Sequence, residues 1–374
     1  MKLLNFHYYP CLIYIIFRVL TNEIRFIIRH FFGDKYLKNI SPLFLMFLGE
    51  SFAGFLYIYE RKLSSNQNNI NEKEIVMKQI EKKKKYNYFI KFNVLFIALC
   101  SLLDFFFCFD FSIFYNSKIN NLNEKFQPSK RIFFILILCL SENYFFNFEI
   151  NNHHYLGLVL SVLSLLLTII NNLLKIQYNS LLFLIVLLYV QFGFIGSSLY
   201  LIEKKLNFKY YINVYYICFI EGIFGCLYCL ISYLTLKKNF NIFLLRNVNY
   251  NEILTFIILI IIDCILTCIY NICRLKISEK NRPSYNIISE VLWVFFSTVS
   301  DSILKKKSWG FELILYYFFS LLGSCIYCEV ISLNFCGLNK NTFSITAKRA
   351  KMEIYCLKEN NDSSNDDSSN DNIF

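Results

Sequence analysis

Four carboxylates sit where an apolar chain should not carry them. Glu50, Asp104, Glu221 and Asp263 each fall near the middle of a hydrophobic run. A charged side chain at the centre of a spanning helix costs about 2.5–3.5 kcal/mol on insertion scales. Such a group must meet a counter-charge, hold a proton or face a water-filled cavity. The chemistry open to it there is capture of a small solute or relay of protons. Asp110, Glu142, Glu290 and Asp301 lie nearer the ends of their runs, within reach of interfacial water. Arg18 is the only basic residue inside a run, so an isolated anion would meet a site of matching sign. The acids therefore favour a cationic, amine-bearing or zwitterionic cargo, or proton coupling.

Two of these acids belong to a repeat. ESFAGFLY at 50–57 returns as EGIFGCLY at 221–228, sharing the glutamate, Gly54/Gly225, Leu56/Leu227 and Tyr57/Tyr228. A weaker echo pairs LLD at 102–104 with IID at 261–263. Leucine and tyrosine are common here and could match by accident; glutamate and glycine are scarcer in apolar runs. Gly49, Gly54, Gly222 and Gly225 cluster in these two segments although the chain holds only 11 glycines. Glycines on such helices let a neighbouring backbone approach closely.

The elements that must position these residues are membrane spans. The chain has 374 residues and is 56% hydrophobic, too apolar for a soluble domain of this length. Runs long enough to span are expected at 3–20, 41–58, 93–114, 132–148, 155–174, 181–202, 211–236, 253–273, 284–304 and 309–333. The first reads as a retained span rather than a cleaved signal, and the stretch after it could form an interfacial amphipathic helix. The expected fold is an all-α membrane protein of about ten transmembrane helices in two five-helix halves. Residues 1–174 make the first half, with a polar loop at 59–92. Residues 175–337 make the second, and 338–374 form a polar, low-complexity tail expected to be disordered. Because each half has an odd number of spans, the second enters from the opposite side and the repeat is inverted.

Lysine and arginine counts orient the chain. With a cytosolic N-terminus, 22 basic residues lie on the cytosolic side and 15 on the other, so both termini are expected in the cytosol. The KKKK run at 82–85 contributes to this bias. The net charge of +11 is spread over short loops and makes no groove-sized patch, which argues against nucleic acid as a partner.

Other chemistries find little to build on. The pairs Cys226/Cys229 and Cys325/Cys328 have CxxC spacing but lie in apolar runs, where a thiol packs as a small hydrophobe. His153 and His154 are adjacent, so they face different ways on a helix. No HExxH, GxSxG or GxxxxGK[ST] motif occurs. The chain is thus expected to be no enzyme, to need no metal or cofactor, and to move solute without ATP. A carrier-like scaffold or receptor that transports nothing would have the same skeleton.

The segments that carry the acids also resemble a known family. SPLFLMFLGE opening the second span, IEGIFG in the seventh, and the stretch from Asn271 through WGFE to the YCE of the tenth are similar to the drug/metabolite transporter superfamily, and most of all to the F-type members of solute carrier family 35. The likeness covers most of residues 41–335. It implies two inverted five-helix halves, cytosolic termini, alternating access and residence in an endomembrane such as Golgi, endosome or lysosome. By position it also implies a role for Glu50, for Glu221 with Gly222 and Gly225, for Arg282 before the ninth span, and for Trp309 with Glu312. Pro283 after Arg282 and WGFE in place of GWE depart from the family pattern. No lysine motif of the nucleotide-sugar carriers is present. Expected partners are a small-molecule substrate, the lipid bilayer and, in a homodimer, a second copy.

Overall fold

Lipid offers no partner to backbone N–H and C=O groups, so an apolar chain satisfies them internally as helices. The computed structural model describes residues 9–32, 42–67, 89–108, 120–146, 150–173, 189–235, 253–305, 311–331 and 333. Among these residues the regular elements are helical and no β-strand occurs. The helices are α1 (Tyr9–Phe32), α2 (Pro42–Ser51), α3 (Ala53–Gln67), α4 (Phe89–Cys108), α5 (Asn120–Phe146) and α6 (Asn152–Leu173). A π-helical turn (Gln191–Ile195) then leads into α7 (Gly196–Tyr210), followed by α8 (Val214–Thr235), α9 (Ile253–Lys280), α10 (Tyr285–Lys305) and α11 (Phe311–Tyr327).

Among the described residues, five stretches are long and apolar enough to cross a membrane: Pro42–Leu63, Asn152–Ile170, Val214–Thr235, Leu254–Lys280 and Tyr285–Leu304. Asn93–Cys108, Phe133–Phe146 and Ile314–Tyr327 are shorter apolar helices. Most of the polar loop, the tail, the Lys82–Lys85 run and the first half of the expected sixth span lie outside the described residues.

Helix α1 extends well past the expected end at residue 20 and is one continuous helix, so no separate interfacial helix begins at Thr21. Its polarity is inside out. Arg18, Thr21 and Arg25, spaced three and four apart, share the buried face, while Leu12, Ile16, Leu20, Ile24 and Ile27 point outward. That arrangement suits a lipid-facing helix and would be costly in water. Pro10 sits in the first turn, where its missing N–H breaks no helical bond.

The second apolar stretch is broken at Phe52, between α2 and α3. Ser51 Oγ donates back to the Leu48 carbonyl at 2.6 Å, and Phe52 N reaches Gly49 O at 3.1 Å in a tighter turn. A side-chain hydroxyl folded onto the helix in this way is a recognised cause of bending. The break lies directly after Glu50.

Packing between the helices follows a regular scheme. Helix α1 packs on α9 and α10, and the π-turn and α7 pack on α4 and α5. Helix α2 packs on α8 and α9, and α8 on α2 and α4. Helix α6 lies against α11, and α5 meets α10. Where α6 crosses α11, a Cβ on Gly157 would stand 2.7 Å from Gly323 O, so two glycines set the approach.

Candidate functional site

Helix α9 carries a polar stripe through its apolar length. Asp263, Thr267, Asn271, Arg274 and Ser278 recur at intervals of three and four, which places them on one face, and all five are buried. Arg274 is the focus. Its Nη2 donates to Glu203 Oε1 of α7 at 2.7 Å. Its Nη1 lies 3.4 Å from Asp104 Oδ2 of α4, and its Nη2 lies 3.6 Å from Glu221 Oε2 of α8. The guanidinium carbon stands 5.6 Å from the ring centroid of Tyr200. One turn away on α9, Asn271 Nδ2 donates to Glu50 Oε1 at 2.6 Å.

Three carboxyl groups from three helices thus meet one guanidinium, a fourth on α2 binds Asn271 one turn away, and Glu50, Asp104, Glu203 and Glu221 are all 0% exposed. Neither oxygen of Glu221 accepts a hydrogen bond, nor do Glu50 Oε2 and Glu203 Oε2. One formal positive charge against four negative ones is an incomplete balance. Burial of unpaired charge is costly, so the remainder must be met by protons or a cation.

The repeated segments meet each other here. Helices α2 and α8 cross so closely that a Cβ on Gly222 would stand 2.7 Å from Phe47 O and 2.8 Å from the Glu50 carbonyl carbon. A Cβ on Gly54 would stand 2.6 Å from the Phe219 ring, and Gly225 packs reciprocally on the Phe47 ring. Gly49 faces α9, where a Cβ would lie 2.7 Å from Cys264 O. Ser101 Oγ donates to the Glu221 carbonyl at 2.7 Å. These four glycines therefore let the backbones that bear Glu50 and Glu221 approach one another and α9.

A second polar centre adjoins the first through Tyr200. Arg18 Nη1 donates to Asn286 Oδ1 at 2.8 Å and to Ser289 Oγ at 2.6 Å. Its Nη2 donates to the hydroxyls of Tyr200 and Tyr270, each at 2.9 Å, and pairs with Glu290. Lys204 Nζ donates to the carbonyls of Ser278 at 2.6 Å and Asn281 at 2.9 Å, covering acceptors left open at the end of α9.

The sequence expectations divide on this geometry. Glu50, Asp104 and Glu221 come together; Asp263 does not join them. It pairs with Arg25 Nε at 2.9 Å, eleven residues and about 16 Å along α9 from Arg274. Arg18 is the one basic residue inside an expected run, but burial of cations extends beyond the runs, to Arg25, Lys130, Lys204 and Arg274. Glu290 and Glu142 do not reach interfacial water: the first pairs with Arg18, and the second accepts from Ser284 N at 3.3 Å. Arg282 lies in the turn between α9 and α10, half-buried. Trp309, Asp110 and the side chains of Glu312 and Asp301 are outside the described residues.

Arg274 and Glu203 escaped the sequence reading because each falls one residue beyond an expected span. A hydropathy window closes a span where charges begin, but both helices continue, α7 to Tyr210 and α9 to Lys280. The signal that could have found Arg274 is the polar stripe itself. Cys226, Cys229, Cys325 and Cys328 are free thiols, and among the described residues no group of His, Cys, Asp and Glu is arranged to hold a metal ion. His154 Nε2 lies 3.3 Å from Glu329 Oε1, at the end of the α6–α11 pair and away from the acid cluster. No family model matches the chain, and no curated protein matches it.

Proposed function

We propose that the chain is a secondary or facilitated carrier that moves a small metabolite across an endomembrane by alternating access. Ten spans would form two inverted five-helix halves, with α1 to α6 as the first and the π-turn to α11 as the second. Both termini would be cytosolic, and a homodimer is compatible with the lipid-facing surfaces. The likeness to solute carrier family 35 supports the same reading.

The observation that carries the proposal is the exchange symmetry of the contacts between the halves; within the second half, α9 also meets α7, α8 and α10, and among the described residues α4 makes no such set of contacts in the first. Counting α2 and α3 as one span, each contact of α1 with α9 or α10 has a counterpart in a contact of α7 with α4 or α5. The α2–α9 contact has its counterpart in α8–α4, while α2–α8, α5–α10 and α6–α11 are their own counterparts. Two halves packed by one rule around a shared polar centre can rock about it and open it to either side. The buried acids lie at that centre, and the break after Glu50 is a discontinuity of the kind that lines carrier sites.

Counterflow in proteoliposomes tests this reading. Vesicles holding wild type, Glu50→Gln or Glu221→Gln are loaded with a mixed pool of amino acids, polyamines, small metabolites and nucleotide sugars, at two pH values. Exchange of some cargo by wild type, abolished in both folded variants, is the expected result. Retained exchange in the variants would demote the glutamates to packing, and no exchange in any vesicle would favour a scaffold.

A further inference from the structure

Arg274 reports on what its surroundings hold. A guanidinium is planar, weakly hydrated and suited to carboxylates and aromatic faces, and here it meets carboxylates from α4, α7 and α8 with the face of Tyr200 beside it. The Glu203 contact is a short hydrogen bond at 2.7 Å, that to Asp104 a long one at 3.4 Å, and Glu221 at 3.6 Å makes none. Arg274 Nε donates to nothing, and both Glu221 oxygens accept nothing. A structural ion pair would be tightly satisfied, since imperfect geometry in a buried pair does not repay desolvation. The site instead holds more carboxylate than its own cation uses.

We propose that the acid cluster is a binding site for a compact organic cation, guanidinium- or amine-bearing, and that Arg274 is its tethered stand-in. With no cargo bound, Arg274 lends the carboxylates the positive charge that lets the helices close over them. A bound cation takes over Glu221, Asp104 and the free oxygen of Glu50, and Arg274 withdraws toward Glu203 and Tyr200. Two consequences follow. The free cation competes with Arg274, so the site binds it more weakly than its carboxylates alone would. The carrier can also close while empty, so it supports net flux as well as exchange. The second consequence rests on the carrier reading; the first does not.

The test uses the full chain in lipid nanodiscs, with methylguanidinium and agmatine as cation probes and malonate as the anion control. Arg274→Gln removes the competitor but makes the cluster more negative. Arg274→Gln with Glu203→Gln removes the competitor and its nearest partner together, leaving the formal charge as in wild type. Both are expected to bind methylguanidinium about tenfold more tightly than wild type or Glu203→Gln alone, about 1.4 kcal/mol, and to gain thermal stability from it. In proteoliposomes the ratio of net agmatine flux to agmatine exchange falls in the Arg274 variants and recovers in Arg274→Lys. Equal or weaker cation binding in the double variant, or a wild-type preference for malonate, overturns the proposal. Tighter binding without flux from any vesicle would leave the cation site standing and remove the carrier reading alone.

Discussion

The buried acids are of two physical kinds, and stability separates them. Asp263 pairs with Arg25 at 2.9 Å, so Asp263→Asn removes the carboxylate that this buried guanidinium meets. That change should cost about 3–5 kcal/mol, read as a lower melting temperature in detergent. Replacing both partners, Arg25→Met with Asp263→Leu, should recover most of the loss, because well-packed apolar residues substitute for a buried pair at little net cost. Glu221 predicts the opposite sign. It accepts no hydrogen bond and sits among more carboxyl groups than buried cations, so Glu221→Gln eases that imbalance and should raise the melting temperature while, on the proposed function, impairing transport. A stability gain that costs activity marks a residue kept for function. If Glu221→Gln and Asp263→Asn destabilise alike, Glu221 is structural.

At the scale of elements, the crossing of α2 and α8 is the most demanding contact around the site. Gly222 meets the backbone of α2 at Phe47, Glu50 and Ser51, which cannot yield as a side-chain tip does. Gly222→Ala should therefore force the two helices apart and cost about 1–3 kcal/mol. Gly54→Ala meets only the Phe219 ring, which can turn aside, and should cost less. Paired thermal melts of the two variants check the order; equal losses would show that the crossing is loose. These glycines were legible in the sequence because they accompany a repeated glutamate. The break at Phe52 was not, since Ser51 and Gly54 look alike in a straight and a bent helix and only the Ser51–Leu48 hydrogen bond distinguishes them. The polar stripe on α9 was visible as a spacing pattern, yet its most important member lay just past the apolar window.

For the whole molecule, the apolar runs made helices and a membrane setting plain, whereas partner choice among buried charges depends on distances no spacing rule supplies. Asp104 and Asp263 occupy echoing positions, but one turns to Arg274 and the other to Arg25. Topology hangs on the helix whose composition says least. Helix α1 carries several charges and is absent from the five apolar candidates, but it lies alongside α9, which is among them. Along that contact Arg25 is level with Asp263, and Arg18 with Tyr270. Residue numbers fall on one helix as they rise on the other, so the two run antiparallel, and on the proposed ten-span arrangement α1 would cross the bilayer beside α9. On that proposal, ten crossings would return the tail to the side of the N-terminus. Glycosylation acceptors inserted at the N-terminus, within 68–88 and within the tail should stay unmodified in microsomes, while one inserted within 237–252 should be modified. Modification at the N-terminus with an unmodified tail would mean nine crossings, and α1 would then lie in the interface with its arginines turned from α9.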